Sequence, residues 1–186
     1  EKEVSRPLFD ILKETDLPLL TAFQCLCYNI MALYMSQVQL PMMILGYSAN
    51  NRTYVITAHM IGMFLPGLVS GHIINFIGTW ATTFCGFLLF ILGGAIMLIN
   101  DSLTMFIIGM SIIGIGWNLS FVGPSAEVSK ICTASEKAKI VGFNDGIMLL
   151  SIGSFALVGS IIYEAIGSWK IFNIILMSVS GFSALI

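Results

Sequence analysis

Residues 53–100 read TYVITAHMIGMFLPGLVSGHIINFIGTWATTFCGFLLFILGGAIMLIN, 48 consecutive positions without Asp, Glu, Lys or Arg. A soluble core does not need so long an uncharged run. A helix crossing a hydrocarbon layer of about 30 Å takes about 20 apolar residues at about 1.5 Å of rise each. The run therefore predicts two crossings, divided at Ile77-Gly78-Thr79-Trp80. The rest of the chain has the same character. Of 186 residues 57% are apolar and 10% are charged, against about 25% charged in an ordinary soluble domain, and the mean hydropathy is +0.94.

Charges, prolines and glycines divide the sequence into six apolar stretches, at residues 18–40, 53–74, 80–99, 103–125, 140–163 and 169–186. Residues 1–17 form an approach segment, and residues 18–186 form one transmembrane domain. Within the segment, residues 7–12 read as a short amphipathic helix at the interface. Lys2, Arg6, Lys13, Lys130, Lys137 and Lys139 fall on one side of the bilayer, and Arg52 and Lys170 on the other. The positive-inside rule places the amino-terminal segment on the cytoplasm-like side.

Several functions are excluded by the same text. A net charge of -2 with eight basic residues gives no phosphate-tracking surface, so no nucleic-acid partner is expected. The sequence holds no Gly-x-x-x-x-Gly-Lys-Ser/Thr loop, His-Glu-x-x-His pair or Gly-x-Ser-x-Gly elbow. Cys25, Cys27, Cys85 and Cys132 lack paired metal-ligand spacing. The methionines, Met31, Met35, Met60 and Met63 among them, lack the closely spaced His partners of a metal ladder. No enzyme, metal or cofactor is expected.

An internal repeat organises the crossings. Residues 68–80 read LVSGHIINFIGTW and residues 157–169 read LVGSIIYEAIGSW, 89 positions apart with six identities in thirteen. An offset of three spans puts the copies on opposite sides of the bilayer. The expected fold is thus all-α and membrane-embedded, six helices arranged as two inverted three-helix units. Small residues four apart, Gly67 with Gly71 and Gly142 with Gly146, predict helices that pack or slide closely against a partner. Ser70 and Gly78 share that expected packing or gating role.

His59-Met60-Ile61-Gly62-Met63-Phe64-Leu65-Pro66, continuing through Ser70-Gly71-His72 to Ile77-Gly78, resembles the second helix and following loop of a six-helix half in the major facilitator superfamily. Gly114-Ile115-Gly116-Trp117-Asn118, Phe121-Val122-Gly123, Ser135 to Lys139 and Gly142-Phe143-Asn144-Asp145 resemble the fourth helix, cytoplasmic loop and fifth helix of that half. The match is best to the carboxy-terminal half of bacterial-type members. It implies twelve helices in all, supplied by an amino-terminal six-helix half or a second copy. In the family the loop after the second helix usually carries a charged latch; here Asn75-Phe76-Ile77-Gly78-Thr79 has no charge.

Ionisable groups inside a span are costly and are functional candidates by default. Asp145 beside Asn144 reads either as a proton or cation carrier or as a structural carboxyl. Trp117 with Asn118 reads either as a stacking and hydrogen-bonding contact to a solute or as a packing anchor with a cross-helix amide. His59, Gln37 and Gln39 are expected to line an outward-facing polar vestibule, or else His59 is satisfied by neighbouring amides. The sequence points to half of a secondary transporter that moves a small solute by alternating access, with proton coupling implied by the resemblance alone. The competing expectation is a transporter-derived structural subunit held among other membrane subunits.

Overall fold

A computed structural model describes residues 5–185; Lys2, the rest of the first four residues and Ile186 of the last expected span lie outside the described residues. The described residues form α1 Leu8–Glu14, α2 Leu17–Gln37, α3 Gln39–Ile44, α4 Ala49–Phe64, α5 Gly67–Ile77, α6 Thr79–Ile99, α7 Leu103–Ile131, α8 Lys137–Ile166 and α9 Trp169–Leu185.

Local chemistry sets the helix ends. The Ser48 hydroxyl caps α4 by accepting from the Asn51 N–H at 3.3 Å, and Ser102 caps α7 through the Met105 N–H at 3.4 Å, each satisfying one donor that the first turn leaves over. At the ends of the repeated segments, Gly78 and Gly167 adopt φ of +86° and +63°, a region that side chains with a Cβ rarely enter. Each donates its N–H to the carbonyl four residues earlier, Ile74 at 2.8 Å and Tyr163 at 2.9 Å. Both copies thus turn at a positive-φ glycine, but in different conformations: Gly167 is left-handed with ψ of 13°, whereas Gly78 has ψ of 163°.

Among the described residues four helical stretches are long and apolar enough to cross a bilayer: Leu17–Ile44, Thr79–Ile99, Leu103–Ile131 and Lys137–Ile166. The second expected span is not one straight helix but α4 and α5, bent by 46°. Pro66 supplies the reason, since it lacks an N–H and its ring clashes with the preceding turn. Pro124 does not stop α7, which runs on to Ile131 rather than ending at 125. The 17 residues of α9 are apolar but shorter than the other crossings. The six expected spans thus resolve into four long helices, one bent pair and one short helix.

At the centre stand α2 and α7. Helices α4 and α6 pack on α7, α8 and α9 pack on α2, and α6 meets α9. Exchanging α2 with α7, the bent pair with α8, and α6 with α9 maps this contact scheme onto itself. Trp80 meets Phe23 edge-on near the start of α2, with centroids 5.5 Å apart. Trp169 meets Tyr34 at 6.5 Å, about 16 Å further along that helix. The two copies of the repeat therefore close at opposite ends of α2.

Lipid tails give helices little hydrophobic reason to associate, so close packing and interhelical hydrogen bonds hold such bundles together. The two interfaces exchanged by the repeat solve this differently. Between α4 and α7 the backbones touch: a Cβ on Gly114 would collide with the His59 carbonyl and lie 2.9 Å from the Met63 nitrogen. Between α2 and α8 runs a ladder of side-chain bonds. Thr21 Oγ1 donates to Asn144 Oδ1 at 2.8 Å, Asn29 Nδ2 to Ser151 Oγ at 3.2 Å, and Gln37 Nε2 to Ser160 Oγ at 3.1 Å. Such bonds average about 0.6 kcal/mol each in membranes, so their value lies in fixing register more than in adding stability.

The approach segment is docked by its own small core, in which Ile11 packs with Leu17, Leu20, Val128 and Ile140. Arg6 grips Glu136 with Nε at 2.8 Å, Nη2 at 3.0 Å and its backbone N–H at 3.1 Å. The Glu136 side chain is 1% exposed.

Candidate functional site

Polar and aromatic groups concentrate where α2, α7 and the bend between α4 and α5 meet. The bend creates the first requirement. Across the break the Met63 carbonyl receives no backbone N–H from the following turn, and a bare carbonyl inside a membrane is costly. Asn118 Nδ2 donates to it at 2.8 Å. The amide sits close to Gly67, where a Cβ would lie 3.6 Å from Nδ2. Asn118 therefore braces the bent span.

Its neighbour Trp117 anchors an aromatic cluster. Phe121, one turn further along α7, stacks on Trp117 with centroids 5.0 Å apart and planes 11° from parallel. Tyr28 of α2 meets both rings edge-on, at 5.4 Å and 6.0 Å. Phe64, from the last turn before the bend, meets Trp117 at 6.5 Å. One turn beyond Phe121, Ser125 Oγ accepts from Gln24 Nε2 at 2.8 Å. Three buried polar atoms here have no partner among the described residues: Trp117 Nε1, Asn118 Oδ1 and Gln24 Oε1. No His, Cys, Asp or Glu belongs to the cluster, so its chemistry is stacking and neutral hydrogen bonding.

The other sequence candidates are dispersed. Asn144 is buried and accepts from Thr21 in the α2–α8 ladder, whereas adjacent Asp145 is exposed on α8. Gln37 is the last rung of that ladder. Gln39 lies on the rim of a cavity of about 380 Å³ shared with Arg52, Thr53 and Met60. His59 is fully buried; its Nδ1 donates to the Met110 carbonyl at 2.9 Å, so it lines no vestibule in this conformation. The expected trio of Gln37, Gln39 and His59 is thus not assembled, because each faces a different neighbour.

The expected glycine pairs also separate. Gly71, Gly142 and Gly146 have open space where a Cβ would project, as does Gly78, and Ser70 is buried with its hydroxyl on the Gly67 carbonyl. The close approaches within the chain use Gly62, Gly86, Gly93, Gly109, Gly114 and Gly116 instead. At the uncharged loop after the second span, the Thr79 hydroxyl donates to Glu127, which also pairs with Lys130 at 2.7 Å. Sequence reasoning missed Gln24, Tyr28, Phe121 and the rungs Thr21, Asn29, Ser151 and Ser160. The polar residues Thr21, Asn29 and Gln37, eight apart in an apolar span, were the available signal.

The long apolar helices define a multi-pass integral membrane protein; among the described residues no group of three His, Cys, Asp or Glu fit for a metal occurs. No family model matches the chain. Over 172 residues, 92% of this chain and 43% of the relative, it is 28% identical to the riboflavin transporter RfnT of Brucella anthropi. Over 108 residues, 57% of this chain and 25% of the relative, it is 27% identical to the uncharacterized MFS-type transporter YdeG of Bacillus subtilis. These relatives bear out the resemblance to major facilitator superfamily transporters. The chain spans less than half the length of either relative.

Proposed function

We propose that this chain is a six-helix unit, two inverted triplets, of a secondary transporter that moves a small solute by alternating access against a second six-helix unit. The observation that carries the reading is similarity to a named transporter along 92% of the chain. The exchange of contacts that relates α2, the bent pair and α6 to α7, α8 and α9 supports the triplets, as does the closure of the two repeat copies at opposite ends of α2. Open space at Gly71, Gly142 and Gly146 supports a partner unit packing on α5 and α8. On this reading the amino-terminal segment lies on the cytoplasm-like side, Asp145 faces the partner or the solute path, and its protonation couples the cycle. Nothing in the packing favours a purely structural subunit.

The test is uptake by the complete protein in vesicles, with a panel of small solutes that includes riboflavin, across a range of external pH. Asp145→Asn is expected to flatten the pH dependence. Asn118→Ala, which frees the Met63 carbonyl, is expected to lower flux at least tenfold. Unchanged flux and pH profile in both variants would remove these residues from the transport path.

A further inference from the structure

We propose that an anionic phospholipid seats on the exposed face of α4, with its phosphate against Arg52 in the cleft between α3 and α4. One acyl chain lies in the apolar trough that continues from that cleft to the α4–α5 bend. Such a site requires a bilayer around the chain and nothing of its activity.

Arg52 is a cation at the wrong end of a helix. It is the fourth residue of α4, where the unpaired N–H groups already make the terminus positive and the first turn holds no acidic residue. None of the three ion pairs among the described residues includes Arg52, and its Nε has no hydrogen-bond partner there. An oxyanion is what this terminus lacks. Half-buried, Arg52 lines a cavity of about 380 Å³ whose other walls include Gln39, Thr53, Thr57 and Met60, with no acid among them. Thr53 donates its hydroxyl proton to the Ala49 carbonyl at 3.0 Å, so the donors left to the cleft are the guanidinium, the Gln39 amide and the Thr57 hydroxyl. A guanidinium matches phosphate oxygens in both charge and geometry.

The cleft continues past its polar walls. Thr57 and Met60 also line a second hollow of about 470 Å³, whose remaining walls are Ile61, Phe64, Leu65 and Leu68. The two hollows form one furrow, polar at Arg52 and apolar below it. Its apolar walls run from 40% exposed at Met60 to 78% at Leu68, so nothing among the described residues covers them. From Thr57 to Leu68 the chain advances eleven residues, about 16 Å of helix, against about 15 Å for one leaflet's share of a hydrocarbon layer of roughly 30 Å. A single acyl chain has that length. Free phosphate would leave the apolar walls bare, and a lipid whose phosphate is balanced by its own cation would answer Arg52 less well. The furrow ends at Leu68, three residues before Gly71, so a second unit seated on α5 would reach its foot and leave the Arg52 end to lipid.

The test is native mass spectrometry of the complete protein, released from micelles that hold phosphatidylglycerol and phosphatidylcholine in equal amounts. Arg52→Gln, checked for folding by its thermal midpoint, is expected to lower retention of phosphatidylglycerol about fivefold, the preference that one basic residue gives an acidic lipid, and to leave phosphatidylcholine unchanged. Arg52→Lys, which keeps the charge and loses the planar fork, is expected to fall between. Leu65→Gln, remote from the charge, is expected to weaken retention as well, because the acyl chain needs the trough. Retention of phosphatidylglycerol at the wild-type level in both Arg52 variants would overturn the site and give this face of α4 to the second unit. A loss confined to the Arg52 variants would show a headgroup contact alone and overturn the furrow. An excess of inorganic phosphate is expected not to displace the lipid; displacement would reveal a free-anion site and overturn the lipid assignment.

Discussion

At the scale of single residues, the ion pair of Arg6 with Glu136 is the clearest electrostatic feature outside the spans. Three hydrogen bonds converge from Arg6 on one carboxylate. The Arg6 guanidinium holds the Glu136 carboxyl well below the usual glutamate range by hydrogen bonding, with the Arg6 backbone N–H and Thr133 adding to it against the opposing effect of burial. A carboxyl lowered in this way stabilises the docked segment fully above its ordinary pKa of about 4.3 and loses that contribution as the pH falls toward the lowered value. The protection of the α1 amides, their exchange rate relative to an unstructured chain at the same pH, is therefore expected to be high and flat at neutral pH and to fall on acidification. Glu136→Gln should exchange faster at neutral pH and lose the acid dependence. An unaltered profile in that variant would show that Ile11 and its apolar neighbours dock α1 unaided.

Between elements, the bundle is held in two ways that the sequence disclosed unequally. Gly78 and Gly167 were legible as the ends of matching segments because the repeat placed both before a Thr/Ser-Trp pair. The close glycine contacts of α4 with α7 were not legible, because an apolar span rich in glycine gives no sign of which glycine faces a backbone. Gly142 and Gly146, singled out by their spacing, have open space within the described residues, while Gly62 and Gly114 make the contact. Gly114→Leu is expected to force α4 away from α7 and to cost about 1–3 kcal/mol, as overpacking does, read as a lowered thermal midpoint in detergent. Trp117 and Asn118 were singled out as a dipeptide, but their division of labour depends on the Pro66 break. A straight second span would leave the Met63 carbonyl satisfied and Asn118 without its structural task.

For the molecule as a whole, the pattern of open space matters as much as the contacts. The α8 helix is only 11% buried over its most apolar window, against 56% for α7. Leu149, Leu150, Leu157 and Ile161 are largely exposed on it, a state suited to lipid or to a partner unit. Gly146→Leu adds bulk where nothing within the chain lies within 4 Å. The unit's own stability is expected to shift by no more than about 0.5 kcal/mol, while uptake by the complete protein falls sharply if the second unit packs there. Equal uptake in that variant would assign this face to lipid. The overall architecture was legible because hydrocarbon thickness dictates span length; the inner surface was not, since its members come from α2, α4 and α7 and only folding juxtaposes them.

The rungs joining α2 to α8 carry a consequence for motion. Their spacing is eight and eight residues on one helix but seven and nine on the other. Sliding α8 forward by a turn would set Thr21 opposite Met148, Asn29 opposite Phe155 and Gln37 opposite Glu164; sliding it back would offer Ile140, Ile147 and Ala156. Neither slip finds three partners again, so the two helices are keyed like a lock with a single tooth pattern. The three bonds thereby fix one register of α8 on α2.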